Sequence, residues 1–220
     1  MKKIISVLMV ITVLFAFAAC SKNTDNNNTK STSENQAMSN TTERQTEENK
    51  TVKTGKTLVV YYSASGNTEN AAKYIAAATN GELFEIVPKD VYTDDDLDWR
   101  DENSRVNYEH ENESARNIEL VSEKADNWEA YDTVFIGYPI WWGDMPMILY
   151  TFFDTYDFSG KTIIPFNTHG GSGFSDTVNS IKELEPAANV NDNGYTVSRN
   201  NVNESESQII AWLGDLGYNK

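Results

Sequence analysis

The chain has 220 residues, a formal net charge of −15, two histidines and one cysteine. A charge of that sign and size repels polyphosphate backbones and anionic membrane surfaces, which argues against nucleic acid and anionic membrane surfaces as direct partners. A single cysteine leaves no internal disulfide to form, so the fold must be held by its core.

Lys2 and Lys3 precede a mostly apolar run from Ile4 to Ala18, the layout of an export signal that does not belong to the fold. As a helix this run reaches roughly 22 Å, short of the ~30 Å hydrocarbon core, so a retained membrane span is the weaker reading. Ala18-Ala19-Cys20-Ser21 resembles a bacterial lipobox, in which the cysteine is lipidated and becomes the mature N-terminus; Phe17 stands where Leu is usual. Ala16-Phe17-Ala18 also fits ordinary signal cleavage, which would release the protein. On the lipobox reading, Cys20 anchors the chain outside the cytoplasm, at the cell envelope. Residues 21–54 are Asn, Thr, Ser, Glu, Gln and Lys with almost no apolar side chains, too few to offset ordering entropy. This stretch is expected to be a flexible linker with a reach of roughly 30 to 35 Å.

About 165 residues remain, from Gly55 to Lys220, a size that suits one domain. Thr57–Tyr62 is a continuous apolar and β-branched run, as expected of a strand buried on both faces of a parallel sheet. Similar runs follow at Leu83–Val87, Thr133–Gly137, Thr162–Phe166 and Tyr195–Val197. Helices are predicted over Thr68–Thr79, ending at Asn80-Gly81; from Met145-Pro146 through Phe153; over Ser175–Glu185; and after Asn203, where Glu206 completes a capping-box pattern, up to Gly217. The long Pro88–Asp132 connection is an acidic, aromatic insertion whose only helical pattern lies near Ile118–Asp126. Alternating strands and helices specify a doubly wound α/β fold, and five strands suit the order 2-1-3-4-5 with a long insertion between the second and third.

Chemistry concentrates in the segments that follow the first, third and fourth strands. Ser63-Ala64-Ser65-Gly66-Asn67-Thr68 joins a strand to a helix, where amides and hydroxyls converge on the positive end of a helix dipole. It lacks the Gly-Lys-Ser/Thr of a triphosphate loop and the Gly-x-Gly-x-x-Gly of a dinucleotide fold, leaving a monophosphate as the simplest match. Tyr138-Pro139-Ile140-Trp141-Trp142-Gly143-Asp144 carries adjacent indoles that cannot both point into the core. Asn167-Thr168-His169-Gly170-Gly171-Ser172-Gly173 is glycine-rich enough to let backbone approach a flat ligand. In a 2-1-3-4-5 sheet these loops meet at one carboxyl edge, beside the switch point.

With these motifs the domain resembles the flavodoxin family over nearly its whole length, and Tyr-Pro-Ile-Trp-Trp-Gly with Thr-His-Gly-Gly-Ser-Gly resembles its exported or quinone-reductase-like bacterial branch. The resemblance implies flavin mononucleotide (FMN) as cofactor. By it, Ser63, Ser65, Gly66, Asn67 and Thr68 hold the phosphate; Pro139, Ile140, Trp141, Trp142 and Gly143 flank the ribityl chain and ring; Thr168, His169, Gly170, Gly171 and Gly173 close the other side. The residues alone do not choose which Trp stacks on the ring. His169 could donate a proton to the flavin or tie down its own loop. Asp144, if ~6 Å from the ring at an effective dielectric near 20, would repel added electron charge by about 3 kcal/mol. The acidic run Asp94–Asp98 lacks the glycine and distal Glu of a calcium loop, so no metal is expected.

The function classes that follow are an electron carrier at the envelope, an FMN-dependent reductase of quinones or other small acceptors using NAD(P)H, and a module without redox chemistry. The first implies a redox protein or membrane-bound donor or acceptor as partner. An insertion that walls the flavin together with Trp141 or Tyr92 would favour the reductase, and an open ring edge the carrier.

Overall fold

A computed structural model describes residues 55–121 and 124–218; Cys20, the export signal and the linker lie outside the described residues. Strand β1 (Lys56–Tyr61) runs parallel to β2 (Glu82–Glu85) on one side and β3 (Tyr131–Pro139) on the other, and β4 (Thr162–His169) continues the sheet beside β3. The order is the expected 2-1-3-4-5. Each apolar run is continuous because successive side chains enter different cores. Leu58, Val60 and Tyr62 point to one face with Val134, Ile136 and Ile163, whereas Val59 and Tyr61 point to the other with Phe135, Ile164 and Phe166.

Helix α1 (Asn67–Thr79) covers the second face, where Ala71, Ala72 and Ile75 are completely buried. Asn80 ends it at φ 56, the left-handed cap read from Asn80-Gly81. The first face is covered by α3 (Met147–Thr155), which buries Ile148, Leu149 and Phe152 fully, and by α4 (Thr177–Leu184) through Ile181. The last helix, α5 (Glu206–Leu216), returns to the second face with Ile209 and Leu213, and Gly217 closes it at φ 84. Each such fully buried aliphatic or aromatic side chain contributes about 1.5 to 3 kcal/mol.

Three expectations are corrected. The edge strand is two pieces: β5 (Asn189–Val190) pairs with Thr162 and Ile163, and β6 (Tyr195–Ser198) pairs with Phe166 through His169. Ile163 accepts from Asn191 N–H across this edge, and with the two-residue period of a strand Pro165 turns to the same edge. Proline offers no N–H there, so the ladder breaks opposite it and resumes beyond. The described residues of the Ile118–Asp126 segment, 118–121 and 124–126, form no helix. Lys89 N–H donates to Glu119 and Val121 N–H to Val87, making a short antiparallel ribbon, and Ile118 N–H is held by Thr151 Oγ1 at 3.0 Å. The insertion's helix is instead α2 (Arg105–Glu111), which the polar pattern of that segment concealed. Finally, Asn203 does not cap α5. Ser205 stands at that position, and the Asn203 side chain accepts from Asn70 Nδ2 at 2.9 Å.

Gly137 of β3 lies beside Phe166 of β4, and a Cβ there would fall 2.1 Å from the Phe166 ring. Gly137→Ala should therefore cost about 2 to 3 kcal/mol by overpacking, read from urea unfolding, and Phe166→Leu in the same chain should recover part of it. At the end of α4, burial and the nearby Asp157 and Asp154 carboxylates push the Glu185 carboxyl up to about 7 from 4.5. The native state then holds a proton that the unfolded chain releases, so this contribution is complete below pH 4.5 and lost as pH rises to about 7. Glu185→Gln should flatten the fall in urea midpoint over that window.

Candidate functional site

The loop after β1 reaches α1 through Gly66 at φ 80, and no side chain caps the helix. The first-turn amides of α1 thus have no intrahelical acceptor and present the positive end of the helix dipole. Ser63 Oγ is buried beside them without a hydrogen-bond partner. Asn67 Nδ2 donates to Ser65 Oγ at 3.0 Å, which fixes the loop's outer side. Thr68 and Thr168 share a buried hydroxyl–hydroxyl bond of 2.8 Å, so the start of α1 and the end of β4 are joined directly.

The loop after β3 is tied to the same place, with Ile140 N–H donating to Thr168 O at 2.8 Å. Trp141 and Asp144 exchange both backbone bonds, at 2.9 and 2.8 Å, around Trp142 at φ 55 and Gly143 at φ 79. Two central residues at positive φ are the signature of the tight type I′ hairpin turn, which normally takes Asn-Gly. An indole at the first position is held there at a cost, and strain of this kind concentrates at functional sites. The two rings separate as the sequence required. Trp141 is half-buried, edge-on to Tyr62 at 5.6 Å and to Tyr92 at 5.5 Å, while Trp142 is exposed, stacked on His110 at 5.6 Å and edge-on to Trp99 at 6.3 Å. Asp144 turns toward α3: its Oδ1 accepts Met145 N–H at 2.7 Å and its Oδ2 the Tyr150 hydroxyl at 2.8 Å. The Tyr150 hydroxyl is correspondingly harder to ionise, by burial first and then by that bond and charge.

In the loop after β4, His169 Nδ1 accepts Gly171 N–H at 2.8 Å. As an acceptor, Nδ1 carries no proton, which leaves Nε2 to hold it, and burial lowers the His169 pKa below its usual value in the same direction. Of the two roles open to it, the tie to its own loop is present. No side chain crowds Gly66, Gly170, Gly171 or Gly173, all of which border open space.

These loops surround a cavity of about 360 Å³ lined by Ala64, Ser65, Leu97, Trp99, Val106, Ile140, Trp141, Trp142, Gly170 and Arg199. Larger depressions of 430 and 580 Å³ lie elsewhere, beside β5 and between α1 and β2, and none of the three loops borders either one. Of the residues anticipated, Ser65, Ile140, Trp141, Trp142 and Gly170 line the cavity. Ser63, Gly66, Asn67, Thr68, Pro139, Gly143, Thr168, His169, Gly171 and Gly173 form the surrounding loops without lining it. Leu97, Trp99, Val106 and Arg199 were not anticipated. The first three come from the insertion, where an aromatic among acidic residues was the only signal. Arg199 is brought in because it directly follows Ser198, the last residue of β6, which pairs with His169, and nothing local marked it.

The insertion is anchored by an ion pair between the half-buried Arg105 and the buried Glu109. Arg105 Nε and the Tyr92 hydroxyl both donate to Glu109, each at 2.6 Å, and the guanidinium lies 4.0 Å above the Tyr92 ring. Burial, reinforced by Glu109, raises the Tyr92 pKa strongly, so its hydroxyl stays a donor and its ring stays against Trp141. The acidic run serves local turns: Asp96 accepts from Thr93 N–H and Oγ1, and Asp98 from Arg100. No cluster of three or more metal-ligating side chains occurs among the described residues.

An open parallel sheet with an uncommitted helix N-terminus and aromatic walls at its switch point defines a doubly wound nucleotide-binding class. The chain belongs to the flavodoxin family, whose model, described as flavodoxin, matches residues 56–216. It is 38% identical to a candidate flavoprotein of Bacteroides uniformis, covering 74% of this chain and 99% of that one with a TM-score of 0.67. A second candidate flavoprotein, from Bacteroides eggerthii, is 36% identical, with 76% and 100% covered and a TM-score of 0.66. A Lactobacillus acidophilus flavoprotein in complex with FMN shares the fold at 24% identity, with 70% and 99% covered and a TM-score of 0.53. Comparison with curated proteins gave no match.

The strained turn yields a direct test. Trp142→Asn should raise the stability of the ligand-free protein by about 0.5 to 1 kcal/mol in urea, since Asn accepts the left-handed conformation more readily. A fall would show that the indole's contacts with His110 and Trp99 outweigh the backbone cost.

Proposed function

We propose that this protein binds FMN in the Trp-lined cavity and passes electrons through it at the cell envelope, held there by Cys20 and the 21–54 tether. The reading rests on one juxtaposition: the loop that holds the uncommitted amides and the partnerless Ser63 hydroxyl lines, through Ala64 and Ser65, the same cavity as the half-buried Trp141 indole. A phosphate satisfies the first group and a flat ring the second. The site residues fit the group chemically. Amides 66–68 with Ser63 and Ser65 would take phosphate oxygens, and Ile140, Leu97 and Val106 give the ring an apolar bed. Trp141, braced by Tyr62 and Tyr92, is the indole better placed to lie against that bed, while Trp142 forms the outer rim. Bound FMN supplies one-electron and hydride chemistry that the side chains lack. The residues around it exclude water, fix the ring and set its potential, with Asp144 contributing negative charge from the base of α3.

The carrier role implies a redox protein or membrane-bound donor as partner. A reductase that takes electrons from NAD(P)H and delivers them to a quinone or similar small acceptor is the second reading, and the insertion favours it. Leu97, Trp99 and Val106 wall the cavity from above and Tyr92 packs on Trp141, so the ring would not be openly displayed.

The purified protein should release FMN, identified by mass spectrometry, and Ser63→Asp should abolish its retention by placing a carboxylate at the phosphate. Rapid bleaching of the bound flavin by NAD(P)H, with turnover on a soluble quinone, would select the reductase. Bleaching only by a chemical reductant, with fast reoxidation by a one-electron protein acceptor, would select the carrier. A protein that takes up no flavin when titrated with FMN would overturn both.

A further inference from the structure

The flavin reading leaves one charge at the site without a role. Arg199 is exposed at the end of β6 and lines the cavity with Ala64, Ser65 and Gly170. Its backbone is fixed on both sides. Arg199 N–H donates to His169 O at 2.9 Å, and four residues later Asn203 is bound to α1, accepting from Asn70 Nδ2 at 2.9 Å and from the Tyr74 hydroxyl at 3.3 Å. The segment that follows Arg199 is therefore tied to the first two turns of α1, whose uncommitted amides lie at the N-terminal end of the first turn.

The state of its charge is as informative as its position. Arg100, Arg105 and Arg116 each face a carboxylate, Asp98, Glu109 and Glu113 respectively. Arg199 has no such ion pair among the described residues, in a chain that carries 33 acidic residues against 18 basic ones. A cation kept clear of carboxylates beside a helix N-terminus is placed for an anion that arrives from outside. The guanidinium fork matches a phosphate geometrically, and a charge-assisted bond is roughly twice as strong as a neutral one.

We infer that Arg199 is the counter-charge for the ligand's terminal phosphate and makes the site selective for FMN over unphosphorylated riboflavin. The inference rests on the flavin reading above and deepens it. The amides of α1 and the serine hydroxyls hold the phosphate by neutral donors, and Arg199 adds the single full charge that riboflavin cannot use.

The test titrates the flavin-free, full-length protein with FMN and with riboflavin, following quenching of flavin fluorescence, for the wild type, Arg199→Gln and Arg199→Lys. Arg199→Gln should weaken FMN at least tenfold and change riboflavin less than twofold, the scale expected for loss of one charged hydrogen-bond partner. Arg199→Lys should keep most of the FMN preference, and raised KCl should narrow that preference in the wild type but not in Arg199→Gln. Matching thermal midpoints of the flavin-free proteins establish that the variants are folded. An FMN-to-riboflavin ratio unchanged in Arg199→Gln overturns the inference, whether both affinities hold or both fall together. A wild type that binds neither flavin overturns the flavin reading itself and this inference with it, so the two failures are distinguishable.

Discussion

Parallel pairing of β1, β3 and β4 is the constraint from which the site follows. Strands that run the same way end at the same edge, so the loops leaving them have no choice but to meet there. The Thr68–Thr168 hydroxyl bond and the Ile140 N–H to Thr168 O bond then lock the three loops to one another. Thr168 is the shared point, nearly fully buried and bonded to both neighbours. The cavity is thus framed by backbone geometry set in the sheet, and its chemistry is supplied by which side chains occupy the fixed positions.

Around that rigid edge the insertion adds a second wall with its own means of support. It adds Tyr92, Val106 and Ile118 to the core, and it is further held by the largely buried Arg105–Glu109–Tyr92 cluster and by the ribbon between Val87–Lys89 and Glu119–Val121. Removing a partner from such a cluster would leave a buried charge uncompensated, which is why the polar residues of α2 behave as structural elements. Tyr92 transmits this order to Trp141, while His110 and Trp99 do the same for Trp142. The two indoles are therefore fixed by different parts of the chain, one by the sheet and inner insertion, the other by a strained turn and the outer insertion.

Charge is distributed with the same economy. Asp96 and Asp98 close local turns, Asp144 accepts from Met145 N–H just ahead of α3, and the described arginines other than Arg199 are matched to carboxylates. The net charge is strongly negative, yet the cavity retains one cation in a lining it shares with Ala64 and Ser65 of the loop before α1. A phosphate monoester is the kind of ligand that gains from both features.

The amino-acid sequence by itself determined the strand order and the sheet edge at which the three unusual loops meet. Uninterrupted apolar runs demand burial on both faces, such burial demands parallel strands with helical crossovers, and the loop residues after the first, third and fourth strands are unusual enough to mark the edge they share. Family membership was legible for the same reason, in Ser-x-Ser-Gly-Asn-Thr and Tyr-Pro-Ile-Trp-Trp-Gly. Only the tertiary structure decided which indole is braced and which is displayed, because Trp141 and Trp142 differ by ring contacts from residues 30 to 80 positions away. It alone revealed α2, whose polar sequence is stabilised by an ion pair instead of an apolar stripe, and the break in the edge strand, which depends on a proline in the neighbouring strand. Arg199 entered the site by strand register, a property of two segments aligned in space that no local pattern encodes.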